Sequence, residues 1–303
     1  MKQLKKILIL FSALLTMAAS FYCLQGRNEE PAIESITYFP LDTDAHFLDA
    51  KTRIMDVQAD QNKYKITIRT YSRLDRLAYL RQDITFVFAN GVLIGKFGQW
   101  KEETDKLEMK DTLSGKNNQI IRAISFHHAE LHYPEDDITS SQQMSQDFLY
   151  IIPSSLPPVT FQTPNGEAEI GWKEVLDREE HNVISSVLKE AVKEMEIDLS
   201  HFHIIPLNEL ENYQKQPFPS FTREQTDQII GQLWEGLYKN YFLGIRTPDG
   251  IISPIGSTIP VILLNKNKQN LYVITLTSEN ELISLKQKIT TGDLENDNHN
   301  KDR

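Results

Sequence analysis

Residues 83–97 read DITFVFANGVLIGKF, and this stretch decides the fold expected for the first half of the chain. Two apolar runs are joined by Asn90 and Gly91. This pair favours a two-residue type I′ turn, because both central residues of that turn adopt positive φ. The first run, residues 83–89, is rich in the β-branched and aromatic side chains that are typical of strands. The stretch therefore predicts a β-hairpin within an antiparallel sheet.

Further strand candidates lie on both sides of this hairpin. Residues 64–71 alternate apolar and polar side chains, residues 120–133 form a long candidate, and residues 148–152 form a short apolar one. No convincing long helix interrupts them. Strands separated by turn residues indicate an antiparallel sheet or sandwich.

The stretch 153–158 reads PSSLPP, and its three prolines disfavour both helix and central strand. Beyond it, residues 172–195 carry an apolar stripe at helical spacing, which predicts an amphipathic helix. Thr222 and Gln225 have the spacing of a capping box at the start of a second helix. The remaining elements expected are strands at 259–264 and 271–277 and a last helix from Ser278 through Lys288.

The expected fold class is therefore α+β. Residues 27–153 form a predicted antiparallel β-sheet or sandwich domain, and residues 159–289 form a smaller α+β domain. Both lie behind a single N-terminal apolar helix within residues 1–26. Residues 290–303 are polar without apolar periodicity, which predicts a disordered tail.

The N-terminal segment predicts export. Residues 1–6 read MKQLKK, and the next 18 residues, 7–24, carry no charge. As a helix this run is about 27 Å long, just enough for the hydrocarbon core of a bilayer. The positive-inside rule then places residues 27–303 outside the cytoplasm. The expected location is the cell membrane, or the exterior if the segment is cleaved.

Four interpretations of this segment stay open. It is a signal-anchor helix, a signal peptide cleaved after Ser20, a lipoprotein signal with Cys23 acylated, or a core helix of a cytosolic protein. Phe21 and Tyr22 argue against the lipoprotein, since small residues are required before the acylated cysteine. The lysine cluster and the apolar character on every side argue against a core helix.

Charge and cysteine content restrict the partners. The chain has 32 basic and 42 acidic residues. Three of the basic residues and none of the acidic ones precede residue 27, so residues 27–303 carry a formal charge of −13. Nucleic acid is therefore not expected as a partner. A single cysteine, Cys23, excludes an intramolecular disulfide and the cysteine-based zinc sites.

One strand candidate contrasts with this acidic background. Residues 63–81 hold six basic residues and one acidic residue. Alternate residues share a face of a strand, which groups the candidate partner-binding residues Lys63, Lys65, Arg69, Tyr71 and Arg73. Such a face suits an anionic ligand, a lipid headgroup or an acidic partner. The alternative is a solvated sheet face that pairs with the protein's own acids.

A second cluster has metal-ligand chemistry. His128, Glu130 and His132 share a face if residues 120–133 form a strand, and His201 and His203 are further candidate ligands. However, His128 and His132 are about 13 Å apart along an extended strand, too far to share one ion without a bulge.

Motifs for catalysis are missing from the sequence. It contains no G-x-S-x-G, G-x-G-x-x-G or H-E-x-x-H, and no motif implies a cofactor. The expected function is therefore a non-enzymatic binding or regulatory module of the cell envelope, with an envelope or membrane protein as partner. The alternative is a metal-dependent hydrolase that acts on envelope material.

Overall fold

The computed structural model describes residues 39–247 and 250–289. Strands account for 52% of these residues and helices for 25%, so the protein is mainly β and the predicted α+β class is wrong. The expected N-terminal helix and the expected polar tail lie outside the described residues. The described residues all fall within one compact unit. Among them, no helix is both long and apolar enough to cross a bilayer.

The first sheet has six strands in antiparallel pairs. They are β1 (Phe47–Asp60), β2 (Lys63–Ala89), β3 (Val92–Lys116), β4 (Gln119–His132), β5 (Ile138–Ile152) and β6 (Val159–Phe161). The Asn90–Gly91 hairpin is confirmed. Both residues have positive φ, 48° and 77°, and Ala89 pairs with Val92 directly across the turn.

Strand β2 is the axis of this sheet, with 27 residues. Its first half pairs with β1 and its second half with β4, while β3 follows it on the other side. The register between β2 and β3 breaks between Arg73 and Ala78, where β2 has extra residues. An extra-residue irregularity bends a strand and increases its twist.

The bend curls the sheet until β1 approaches β5. The two strands are joined through side chains: Thr52 Oγ1 lies 2.7 Å from Ser145 Oγ, and the Ile54 backbone N–H donates to Asp147 Oδ2 at 2.8 Å. The result is a curled antiparallel half-barrel, not the expected sandwich, in which two separate sheets would face each other. The sequence pattern does not distinguish the two, since both need strands with one buried face.

The remaining elements pack on the outside of the half-barrel. Two helices, α1 (Glu167–Met195) and α2 (Arg223–Leu237), accompany a four-stranded sheet in the order β12-β11-β10-β7. Its strands are β7 (Phe202–Pro206), β10 (Val261–Asn265), β11 (Asn270–Leu276) and β12 (Leu282–Lys288), while β8 (Ile245–Thr247) and β9 (Gly250–Ile252) form a separate hairpin.

The largest apolar core joins the two parts of the chain. Phe86 and Phe126 of the half-barrel stack on Trp234 of α2, with ring centroids 5.9 and 4.9 Å apart. The same cluster includes Ile262 and Val273 of the smaller sheet. This core therefore crosses the proline-rich stretch 153–158, and a division into two folding domains there stays a prediction.

The capping box is confirmed, while the last predicted helix is wrong. Thr222 Oγ1 accepts from the Gln225 backbone N–H, and Gln225 reaches back to the Thr222 backbone N–H. Residues 282–288 are strand β12, which pairs with β11 throughout. A turn with Asn280 at φ 63° precedes β12, and pairing with an existing sheet edge overrides the weak helical pattern.

Candidate binding surface

The outward face of β2 carries the five residues that the sequence predicts for partner binding. Lys63, Lys65 and Arg73 are exposed, and Arg69 and Tyr71 are half-buried. The alternate residues of the strand point into the half-barrel and are buried. The structure therefore brings the five predicted residues together along one outward row, as strand alternation requires.

Strand register widens this row to three strands, because directly opposed residues of antiparallel strands share a face. The positions from Lys63 to Arg73 and their partners carry nine basic residues: Lys51, Arg53, Lys63, Lys65, Arg69, Arg73, Lys106, Lys110 and Lys116. Three acidic residues share these positions: Asp49, Asp60 and Glu108. We call this surface the basic face. Nine basic against three acidic residues give it a formal charge of +6, while the chain carries −10.

The acidic residues neutralise a small part of this surface. Arg69 Nε donates to Glu108 Oε1 at 2.9 Å, Lys110 Nζ is 3.6 Å from the same oxygen, and Lys51 pairs with Asp49 at 2.8 Å. The hydrogen bond from Arg69 holds the pKa of Glu108 below its usual range. The other six basic residues form no ion pair with any described residue.

Like charges also lie directly opposite each other on the basic face. The pairs are Arg53 with Arg69, Arg69 with Lys110, Arg73 with Lys106, and Lys63 with Lys116. Such pairs destabilise a sheet. The cross-strand members from β1 and β3 could not be found from the sequence, since alternation shows which residues share a strand face but not which strands are neighbours.

The predicted metal ligands are only partly brought together. His132 Nε2 lies 2.5 Å from Glu130 Oε1, and the His132 ring stacks on Tyr79 at 3.8 Å. His128 is partly buried beside Phe126, and burial is the main cause that lowers its pKa to about 4. His201 and His203 lie on or beside strand β7 in the smaller sheet. Within the described ranges, no group of three or more His, Cys, Asp or Glu residues is arranged to hold a metal ion.

The inward face of the half-barrel contains a polar layer that the sequence did not predict. Along β2 and β4 an apolar cluster near the Asn90–Gly91 turn gives way to polar residues, and a second apolar cluster follows. The polar layer consists of Thr52, Thr70, Ser72, Arg81, Asp83, Thr85, Ser125, His127 and Ser145. All nine side chains are buried.

His127 lies at the centre of this polar layer. Its Nδ1 is 2.9 Å from Asp83 Oδ2, and its Nε2 is 2.8 Å from Ser145 Oγ. The order carboxylate, imidazole, hydroxyl is that of a nucleophilic triad. However, Asp83 and His127 are 0% exposed and Ser145 6%, and Ser145 Oγ also contacts Thr52. A catalytic hydroxyl must reach a substrate, so this geometry indicates a structural network.

The rest of the layer is held by further hydrogen bonds. The Arg81 guanidinium donates to Ser72 Oγ and to the Asp105 backbone carbonyl, both at 2.6 Å, and Nη2 is 3.6 Å from Asp83 Oδ1. Burial lowers the pKa of Arg81, while the carboxylate of Asp83 opposes that shift. Thr52 donates to Ser125 Oγ at 2.6 Å. Asp83 Oδ1 accepts no hydrogen bond, and its contact is the ion pair with Arg81, while the other oxygens and nitrogens named here are paired within the layer.

One signal in the sequence could have revealed this layer. Residues 81, 83 and 85 are polar at the alternation positions where Val87 and Ala89 are apolar, and Ser125 and His127 interrupt the same face of β4. Polar residues in the buried phase of a strand indicate a network inside. Their partners are far away in sequence, however, and only the register brings Asp83 opposite His127.

No protein-family model matches the chain, and a search of curated proteins finds no similar sequence.

Proposed function

We propose that this protein is a non-enzymatic binding module of the cell envelope that uses the basic face to bind an anionic partner. The envelope location rests on the sequence of residues 1–26, whose positive flank and uncharged run favour an extracytoplasmic position for the rest of the chain. The segment serves as a membrane anchor, or as a signal peptide if it is cleaved.

The observation that carries the proposal is the arrangement of charge on the basic face. Six cations without an ion pair to any described residue lie on one exposed three-stranded surface of an acidic protein. Directly opposed like charges cost stability in a sheet, so folding does not account for the arrangement. A loss of stability of this kind is common at sites that serve function.

The acidic remainder of the protein restricts the partner. A polyanion that surrounded the body would meet repulsion from most of its surface, whereas an anionic partner that contacts the basic face alone would not. Complementary charge of this kind raises the rate of association and orients the partner. The partner expected is therefore an acidic surface of the envelope that meets this face.

Photo-crosslinking from the basic face in cells tests the proposal. A photoreactive amino acid replaces Thr67, which lies between Lys65 and Arg69 on the basic face of the full chain. We expect adducts from position 67, and at least about a tenfold lower yield when Lys65→Glu and Arg69→Glu are combined. The same photoreactive residue at Ser284, an exposed position of β12, is the matched control and should give none of these adducts.

Two results would contradict the proposal. One is the absence of both protein and phospholipid adducts at position 67. The other is a yield that stays unchanged after the double charge reversal. A second reversal, Lys286→Glu with Lys288→Glu, controls for the change in net charge, because both residues are exposed on the edge strand β12.

A further inference from the structure

Two exposed leucines lie at the end of the basic face that begins with Arg73. Leu48 lies in the register irregularity between Phe47 and Asp49, and Leu77 lies in the extra residues of β2 after Arg73. Their exposed fractions are 59% and 69%. The backbone hydrogen bond from Asp75 N–H to the His46 carbonyl brings the two irregular segments side by side.

At the same end of the half-barrel, residues 40 and 41 pair with β5. The Ser140 backbone N–H donates to the Pro40 carbonyl at 2.8 Å, and Leu41 forms a bridge with Ser140 on β5. The apolar cluster at this end includes Ala45 and Leu74.

The basic face starts at the same end. It runs from Arg73 to Lys63, about 33 Å along the strand. Three lysines lie beside it on β3, while β1 contributes two basic and two acidic residues. Cations together with protruding aliphatic side chains are the combination that binds an anionic bilayer. The charges attract the headgroups, and the aliphatic groups enter the interface.

We propose that the partner of the basic face is the anionic phospholipid surface of the membrane, with Leu48 and Leu77 entering the headgroup region. This inference rests on the proposed function and names its partner. Two observations support it: the charge of +6 and the two exposed leucines beside Arg73. An acidic protein would need the charge alone.

Vesicle co-sedimentation tests the inference with a chain that starts at Tyr38, which keeps the whole compact unit and removes the apolar segment. We expect binding to vesicles of phosphatidylglycerol mixed with phosphatidylcholine and none to phosphatidylcholine alone. The Lys65→Glu/Arg69→Glu variant should bind at least about tenfold more weakly, while Lys286→Glu/Lys288→Glu keeps most of the binding. Thermal unfolding of each variant shows whether it is folded.

A second pair of variants tests whether the end of the half-barrel that carries Leu48 and Leu77 faces the bilayer. Leu48→Ser with Leu77→Ser should bind several-fold more weakly at high salt, where headgroup attraction is screened and the apolar contribution remains. Leu243→Ser with Ile251→Ser is the matched control, since these residues are 58% and 70% exposed around the β8–β9 hairpin. If the control pair loses vesicle binding at high salt and the Leu48/Leu77 pair does not, the orientation is wrong.

The failure of this inference and the failure of the proposed function are distinguishable. Equal binding to neutral and anionic vesicles, or unchanged binding after the charge reversal, would overturn the lipid partner. If position 67 then still crosslinks to a protein in a charge-dependent way, the binding face stands and its partner is an acidic protein. If position 67 forms no adduct with either protein or phospholipid, the binding face itself is wrong.

Discussion

Residues 63–73 in the first half of β2 alternate between an outward and an inward face, and the two faces have opposite chemistry. The outward residues from Lys63 to Arg73 are mostly basic, exposed and poorly neutralised. The inward residues begin with Tyr64, Ile66 and Ile68 and end with Thr70 and Ser72. The hydroxyls of the last two are hydrogen-bonded within the polar layer. The inward polar groups are explained by their partners in the fold, whereas the outward charges are not. A buried polar group that is bonded within the fold is structural, whereas an exposed charge without an ion pair in the fold is available for binding.

The largest expected effect comes from breaking the inner network. Asp83→Ala leaves the Arg81 guanidinium buried without its carboxylate, which should lower the free energy of unfolding by about 3–5 kcal/mol. The matched outer variant, Glu108→Ala, removes the carboxylate beside Arg69 and should cost less than about 1 kcal/mol. Urea unfolding of the two variants checks this. Equal losses would mean that the two faces do not differ as described. Where the Ala variant does not fold, Asp83→Asn keeps the shape of the side chain.

The next largest effect is a loss of stability at low pH. Because burial lowers the pKa of His128 to about 4 from an ordinary value near 6.5, the unfolded chain takes up a proton before the folded protein does. The free energy of unfolding should therefore fall as pH drops through this window, by about 2 kcal/mol between pH 7 and pH 5. In His128→Gln this part of the dependence should disappear. Identical pH profiles for the two proteins would show that His128 is accessible to solvent.

A smaller loss of stability is expected from a substitution at the contact between β1 and β5. Ser145→Ala removes the hydroxyl that joins His127 to Thr52, which should cost about 1–2 kcal/mol in unfolding free energy. Binding to anionic vesicles should not change. As a check on the triad geometry, a fluorophosphonate should leave Ser145 unmodified in the folded protein. Rapid modification of Ser145 would instead show that substrates reach it.

The smallest effect has the opposite sign. Arg53→Thr removes the cation opposite Arg69, and Lys106→Thr removes the one opposite Arg73. Each change should raise the free energy of unfolding by about 0.2–1 kcal/mol and should weaken vesicle binding. A variant that loses both stability and binding would show that these cations serve the fold.

Local sequence was enough for the local elements. The Asn90–Gly91 turn and the capping box of Thr222 depend on interactions within a few residues, and both are confirmed. Strand alternation also places Lys63 to Arg73 on one outward face, while their role in binding stays a prediction. The last helix failed because its residues carry only a weak helical pattern, and the open edge of β11 offered a full ladder of hydrogen bonds.

The half-barrel and the polar layer depend on contacts between distant residues. Nothing within residues 73–78 shows that the extra residues there would curl the sheet. Asp83 and His127 are 44 residues apart, and only the pairing of β2 with β4 brings them together. The sequence therefore identified only the β2 residues of the basic face. The residues that β1 and β3 contribute to it could be identified only from the strand register.

The central claim is that the basic face serves binding and not folding. The most direct measurement is the yield of crosslinks from position 67 in the full chain, with and without Lys65→Glu/Arg69→Glu. The free energy of unfolding is determined for the same proteins. The account predicts at least about a tenfold lower yield with no loss of stability. An unchanged yield, or a loss of yield that merely follows a loss of stability, would contradict it.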